Sequence, residues 1–97
     1  MSNKKAAETV IRKDIKEEDG NEYIYELTMR EGKRVANFKI PLYSVTVVMN
    51  DSEGKSTRAG LKEVFSDIRT AVRFYERIVS GLATPIDLRY IFEDEMG

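Results

Sequence analysis

The chain has 97 residues with 16 Lys+Arg against 17 Asp+Glu, so a formal charge of -1 announces neither a nucleic-acid scaffold nor an acidic tail. It contains no Cys and no His. Their absence excludes disulfides, thiolate nucleophiles, zinc-thiolate sites and the imidazole dyads of common hydrolases.

One hydrophobic core is the limit for this length, so residues 1–97 are read as a single domain with a radius of gyration of about 13 Å. With 41% hydrophobic and 34% charged residues, the chain can bury a modest core without a partner. Lys4 and Lys5 are followed by no apolar run of signal-peptide length. No segment approaches the roughly 20 apolar residues of a spanning helix, so a cytoplasmic address without a membrane is expected.

Residues 1–8 are polar or small and are expected to be disordered, and 9–65 read as mainly β. From Thr9 to Ile15 a short strand would place Ile11 and Ile15 on one side and Arg12 and Asp14 on the other. Glu17-Glu18-Asp19-Gly20-Asn21 follows as a turn, with positive φ open to Gly20 and Asn21. Residues 22–30 alternate, with Tyr23, Tyr25, Leu27 and Met29 on one face and Ile24 as the apolar exception on the other. Glu31-Gly32-Lys33 reads as the next hairpin turn, after which Ala36, Phe38 and Ile40 supply an apolar side. Pro41 has no N–H for a ladder, so it marks a strand end, a bulge or an edge. Tyr43, Val45, Val47 and Met49 then alternate with Ser44, Thr46 and Asn50. Asp51-Ser52-Glu53-Gly54 turns the chain into an extended return over 55–65 that carries Leu61 and Phe65.

The period changes at Ser66, so 66–95 read as two helices. Ile68, Ala71, Val72, Tyr75, Ile78 and Val79 make a helical stripe over 67–80, with Ser66 as N-cap and Gly81 beyond the last turn. Thr84, Pro85 and Asp87 supply a cap, a first-turn proline and a capping box for a second helix, lined inside by Leu88, Ile91 and Phe92 to about Asp94. Strands first and helices last is the order of an α+β domain. The expected fold is an antiparallel β-meander of three to five strands with two C-terminal helices packed on the face bearing Tyr25, Phe38, Val45 and Val47.

The candidate sites each have a plainer explanation. Tyr23 and Tyr25 could stack unpaired bases, but Leu27 and Met29 extend the same face, which marks it as core. Arg69, Arg73 and Arg77 recur every fourth residue and could contact phosphates or other anions. A pI near 5.5 and the acidic Glu93-Asp94-Glu95 nearby favour ion pairing or solvation of that stripe instead. The carboxylates lack the spacing of a metal or calcium site, and the glycines form no phosphate loop. No cofactor, metal or catalytic residue is assigned.

Pro41-Leu42-Tyr43-Ser44-Val45-Thr46-Val47, Val64-Phe65-Ser66-Asp67 and Thr84-Pro85-Ile86-Asp87-Leu88 with Glu93-Asp94 resemble a small family of clostridial and related Firmicute proteins of unknown function. The resemblance runs from about Tyr23 to the C-terminus. It implies a bacterial cytosolic domain and carries over no activity, cofactor or site residue.

The favoured reading is a non-enzymatic protein-interaction or regulatory domain that pairs with a protein partner or with itself. If the tyrosines point inward, Ile24, Leu42 and Val48 point outward on the face that two helices cannot also cover, and they form the candidate homodimer or partner surface. The alternative is a nucleic-acid-associated regulator using Arg69, Arg73 and Arg77.

Overall fold

The alternating segments form one four-stranded antiparallel sheet, in sequence order, in the computed structural model, which describes residues 8–96. The strands are β1 (Thr9–Glu18), β2 (Asn21–Val35), β3 (Phe38–Asn50) and β4 (Ser56–Phe65), followed by α1 (Ile68–Ser80) and α2 (Pro85–Met96). Both helices lie against the same face of the sheet, so the expected α+β meander is the fold. The expected disorder over 1–8 lies, except for Glu8, outside the described residues.

The first hairpin turns on Asp19 (φ 53°) and Gly20 (φ 82°) rather than on Gly20 and Asn21. Two consecutive positive φ angles define the tight turn that matches strand twist, and Asp-Gly suits it. Asn21 already pairs with Glu18. Strand β1 also runs past Ile15 to Glu18, and a bulge between Val10 and Arg12 overturns the expected face assignment. After the bulge Arg12, Asp14 and Lys16 stand opposite Leu27, Tyr25 and Tyr23, on the helix side. Ile11 packs on the core, whereas Ile15 faces away and is exposed.

Glu31-Gly32-Lys33 is not a turn. Strand β2 continues to Val35, and the loop is Ala36-Asn37, with Ala36 at φ 57°. The register slips between Glu31 and Arg34, so Gly32 sits in an irregularity of the strand. A Cβ there would lie 2.6 Å from the Ile40 carbonyl oxygen, and close backbone approach explains the glycine better than a turn does. Pro41 stands opposite Glu31 at this slip. Strand β4 ends opposite Tyr43, so Pro41 lies on a locally one-sided stretch, where a residue without N–H is tolerated.

The β2–β3 hairpin therefore projects beyond the helices. Phe38, expected on the core face, sits at its tip and is 72% exposed. The projection accounts for a radius of gyration of 14.8 Å against the compact expectation.

Tyr23, Tyr25, Leu27, Tyr43, Val45, Val47, Leu61 and Phe65 form the sheet's side of the core. Helix α1 adds Ala71, Phe74, Tyr75 and Ile78. Phe74 was missing from the expected stripe, and Ile68, included in it, is exposed. The Phe74 ring meets Phe65 at 5.3 Å and Phe92 at 5.9 Å between centroids. Each such side chain, fully buried, contributes roughly 1.5 to 3 kcal/mol.

Asp67, not Ser66, caps α1, its carboxylate accepting the Thr70 N–H at 2.9 Å. At the other end the Ala83 N–H reaches the Ile78 carbonyl and the Leu82 N–H that of Val79. This is the double-bonded helix terminus usually completed by glycine, yet Leu82, at φ 53°, takes the left-handed position, while Gly81 remains at φ -88°. The α2 box forms as expected: the Asp87 N–H donates to the Thr84 hydroxyl, and the Thr84 N–H to the Asp87 carboxylate.

Candidate functional site

The pleat that turns Tyr25 and Val47 inward turns Ile24 and Val48 outward, and the register makes those two direct cross-strand partners. Ile15 of β1 is the partner of Ile24 on its other side. Three branched aliphatic side chains thus line up across β1, β2 and β3 on the face the helices leave open. Ile15 is 55% exposed, and Ile24 and Val48 are half-buried. Sequence reading found Ile24 and Val48 and missed Ile15, because it placed Ile15 on the same side as Ile11.

Leu42 points outward too, but it pairs with Arg30 at the far end of β2 and β3. Six residues along a strand is about 20 Å, so Leu42 does not join the row. It lies with Val35 and Ile40 around the Arg30–Glu63 ion pair, in which the Arg30 Nε donates to Glu63 at 2.8 Å. Glu63 is a bulge residue at φ 56°, and its N–H donates to the Ser44 hydroxyl at 2.8 Å.

Arg69, Arg73 and Arg77 lie exposed along α1. Arg77 is bonded to Glu95 and lies 4.0 Å from Asp94, so one end of the stripe is neutralised by α2. The Tyr23 and Tyr25 rings are nearly parallel, 6.4 Å apart, but lie buried beneath the helices, which removes them as a base-stacking platform.

The β1 bulge also assembles a polar seam that the sequence reading missed. With Arg12 and Asp14 turned inward, the Tyr75 hydroxyl donates to Asp14 at 2.8 Å and approaches the Tyr25 carbonyl at 3.1 Å. Arg12 covers the Tyr75 ring at 5.3 Å and reaches Glu76 at 3.2 Å. Burial, then the Asp14 hydrogen bond and charge, push the Tyr75 phenol above its ordinary pKa. The Tyr25 phenol, which donates to the Ala83 carbonyl at 2.8 Å, is pushed up to about 12, mainly by burial and further by Tyr23 and Asp87. Both shifts move away from neutrality, so these phenols act as fixed donors rather than as bases. The Asp67 carboxyl is held below its ordinary value, chiefly by the Thr70 backbone N–H. Among the described residues no three Asp, Glu, His or Cys side chains converge as a metal site would require.

What the fold and surface define is a small α+β domain with one helix-covered and one open sheet face. Residues 6–97 match the profile of a family of unknown function (DUF6514), and the chain belongs to that family. No curated protein and no solved structure matches it. Among the described residues no helix is long and apolar enough to cross a membrane.

Proposed function

We propose that the protein is a non-enzymatic interaction domain that associates with a second copy of itself through the open sheet face. The observation that carries this reading is the aligned row of Ile15, Ile24 and Val48. Single exposed apolar residues are ordinary, but three in register on a face with no helix over it are a contact surface in waiting. Charge flanks the row on both sides, as the Lys13–Glu26 pair at 3.8 Å and as Glu17 opposite Glu22, and Arg58 continues the row on β4, which gives the apolar row the polar rim of a contact surface. Closed two-fold dimers are the usual solution for such self-complementary patches. Leu42 is left out of this surface, being at the other end of the strands. The phosphate-binding alternative through Arg69, Arg73 and Arg77 draws less support, because Arg77 is engaged by carboxylates of α2.

The reading includes an origin in clostridia or related Firmicutes, supported by the resemblance of the Pro41–Val47 and Thr84–Leu88 segments. It includes action in the cytoplasm, which a Cys-free chain suits. Light scattering on eluting protein tests the association: the wild-type chain should elute as a dimer, and Ile24→Lys with Val48→Lys should convert it to a folded monomer. A wild-type monomer, or a dimer indifferent to both substitutions, would overturn it.

A further inference from the structure

The sheet has two edges, and they are built differently. Strand β1 carries Arg12, Lys13, Asp14, Lys16, Glu17 and Glu18, alternating charge on both faces, and a bulge near its start. Charges and bulges are what protect an edge from pairing with another chain. On β4 the stretch Ser56–Leu61 is regular and pairs with β3 on one side only. Among the described residues no backbone hydrogen bond outside the β3–β4 ladder engages it.

Beside this edge lies a groove of about 270 Å³ between β4 and α2. Ala59 and Leu61 line it from the strand, and Pro85, Ile86 and Tyr90 from the helix, with Arg89. Ile86 is 72% and Tyr90 69% exposed, although both stand on a helix that otherwise closes the core. On the other face of the same strand Arg58 and Lys62 project, and among the described residues neither they nor Arg89 meet a carboxylate within ion-pair distance.

We propose that the β4 edge accepts an extended peptide as a fifth strand, one whose side chains alternate between apolar and acidic. Backbone pairing to Ser56–Leu61 supplies affinity, and alternate side chains supply selectivity, as in strand addition generally. Residues turned toward the helices drop beside Ile86 and Tyr90 and must be apolar. Residues turned the other way stand next to Arg58 and Lys62 and are favoured when acidic, since opposite charges across strands stabilise and like charges destabilise. The same rule argues against a second copy of β4 as the occupant, because it would bring two Arg58/Lys62 pairs together. Arg58 stands directly opposite Val48, so the edge adjoins the Ile15–Ile24–Val48 row; backbone pairing at Ser56–Leu61 and the Ile86–Tyr90 groove lie on the strand edge and the helix side, so peptide binding is read separately from self-association.

The test uses two end-blocked, fluorescently labelled octapeptides, one alternating valine with glutamate and one alternating valine with lysine. Fluorescence anisotropy with the full chain should show saturable binding of the Val/Glu peptide, with the Val/Lys peptide at least tenfold weaker. Amide exchange at Arg58–Leu61 should slow on binding, and β1 amides should not change. Arg58→Glu with Lys62→Glu, both at exposed positions, should reverse the preference. Ile86→Ser, also exposed, should weaken the Val/Glu peptide severalfold with folding intact. Equal binding of both peptides, protection at β1 instead of β4, or no binding of the Val/Glu peptide would overturn the proposal.

Discussion

The two faces of one sheet carry adjacent residues with opposite duties. Val47 and Tyr25 are wholly buried under α1 and α2, while their chain neighbours Val48 and Ile24, half-buried, pair with each other on the face that no helix covers. A single-residue step in the pleat separates the core from the surface, so register, more than composition, decides which valine stabilises and which is available to a partner. On the covered face even the polar groups are spoken for: among the described residues no buried side-chain nitrogen or oxygen lacks a hydrogen-bond partner.

Substituting adjacent valines sharpens the contrast most. Val47→Asp buries an unpaired carboxylate among Tyr25, Leu61 and the helices, at a cost of several kcal/mol against a typical stability of about 5 to 15. Circular dichroism should show loss of the cooperative melt. Val48→Lys, one residue on, should keep the cooperative melt and cost about 1 kcal/mol, since the half-buried position opens to solvent on a face without helices and sets the new lysine opposite Arg58. Equal effects at 47 and 48 would mean the faces are misassigned.

Alkaline titration probes the covered face without mutation. Tyr25 is raised in the folded chain to about 12 from an ordinary 10, so folding favours the protonated phenol. Its contribution is complete below pH 10 and is lost as pH rises through the folded-state value. At 1.36 kcal/mol per pKa unit the loss is roughly 2 to 3 kcal/mol over that window. Tyr75, shifted the same way, adds to it. Denaturant midpoints measured in steps from neutral pH upward should stay level to about pH 10 and then fall. A Tyr25→Phe chain should show a shallower decline.

Tyr75→Phe tests the seam that fastens β1 to α1. Removing the hydroxyl leaves Asp14 to find water at the seam, at about 1.5 to 3 kcal/mol by the usual worth of a hydrogen bond to a charged group. Urea unfolding should register a lower midpoint with an unchanged slope. Smallest of all should be Arg73→Glu on the exposed flank of α1, below about 1 kcal/mol. A larger loss there would show that the stripe holds the fold together.

The strands and helices were legible because their periods of two and 3.6 run unbroken through long segments, as in Tyr23-Tyr25-Leu27-Met29 and Ala71-Tyr75-Ile78. The capping box at Thr84 was legible for the same local reason: the residues that make it are three apart. What the sequence hid were the places where one residue breaks the alternation. The bulge after Val10 exchanged the faces of Arg12 and Asp14 with that of Ile15, so the seam with Tyr75 and the third member of the outer row were both missed. Gly32 looked like a turn because glycine serves both turns and close approach, and only the Ile40 carbonyl beside it distinguishes the two. That error placed Phe38 in the core instead of at the hairpin tip. The outer pair Ile24 and Val48 was found from parity alone, whereas Leu42 shares their parity but not their neighbourhood.

The open face as a contact between copies is the central claim, and sedimentation velocity from sub-micromolar to submillimolar protein tests it most directly. Association through the open face predicts a concentration-dependent shift from monomer to dimer that is abolished, with folding intact, by Ile24→Lys together with Val48→Lys. A wild-type chain sedimenting as a monomer throughout, or a dimer that survives both lysines, would contradict it.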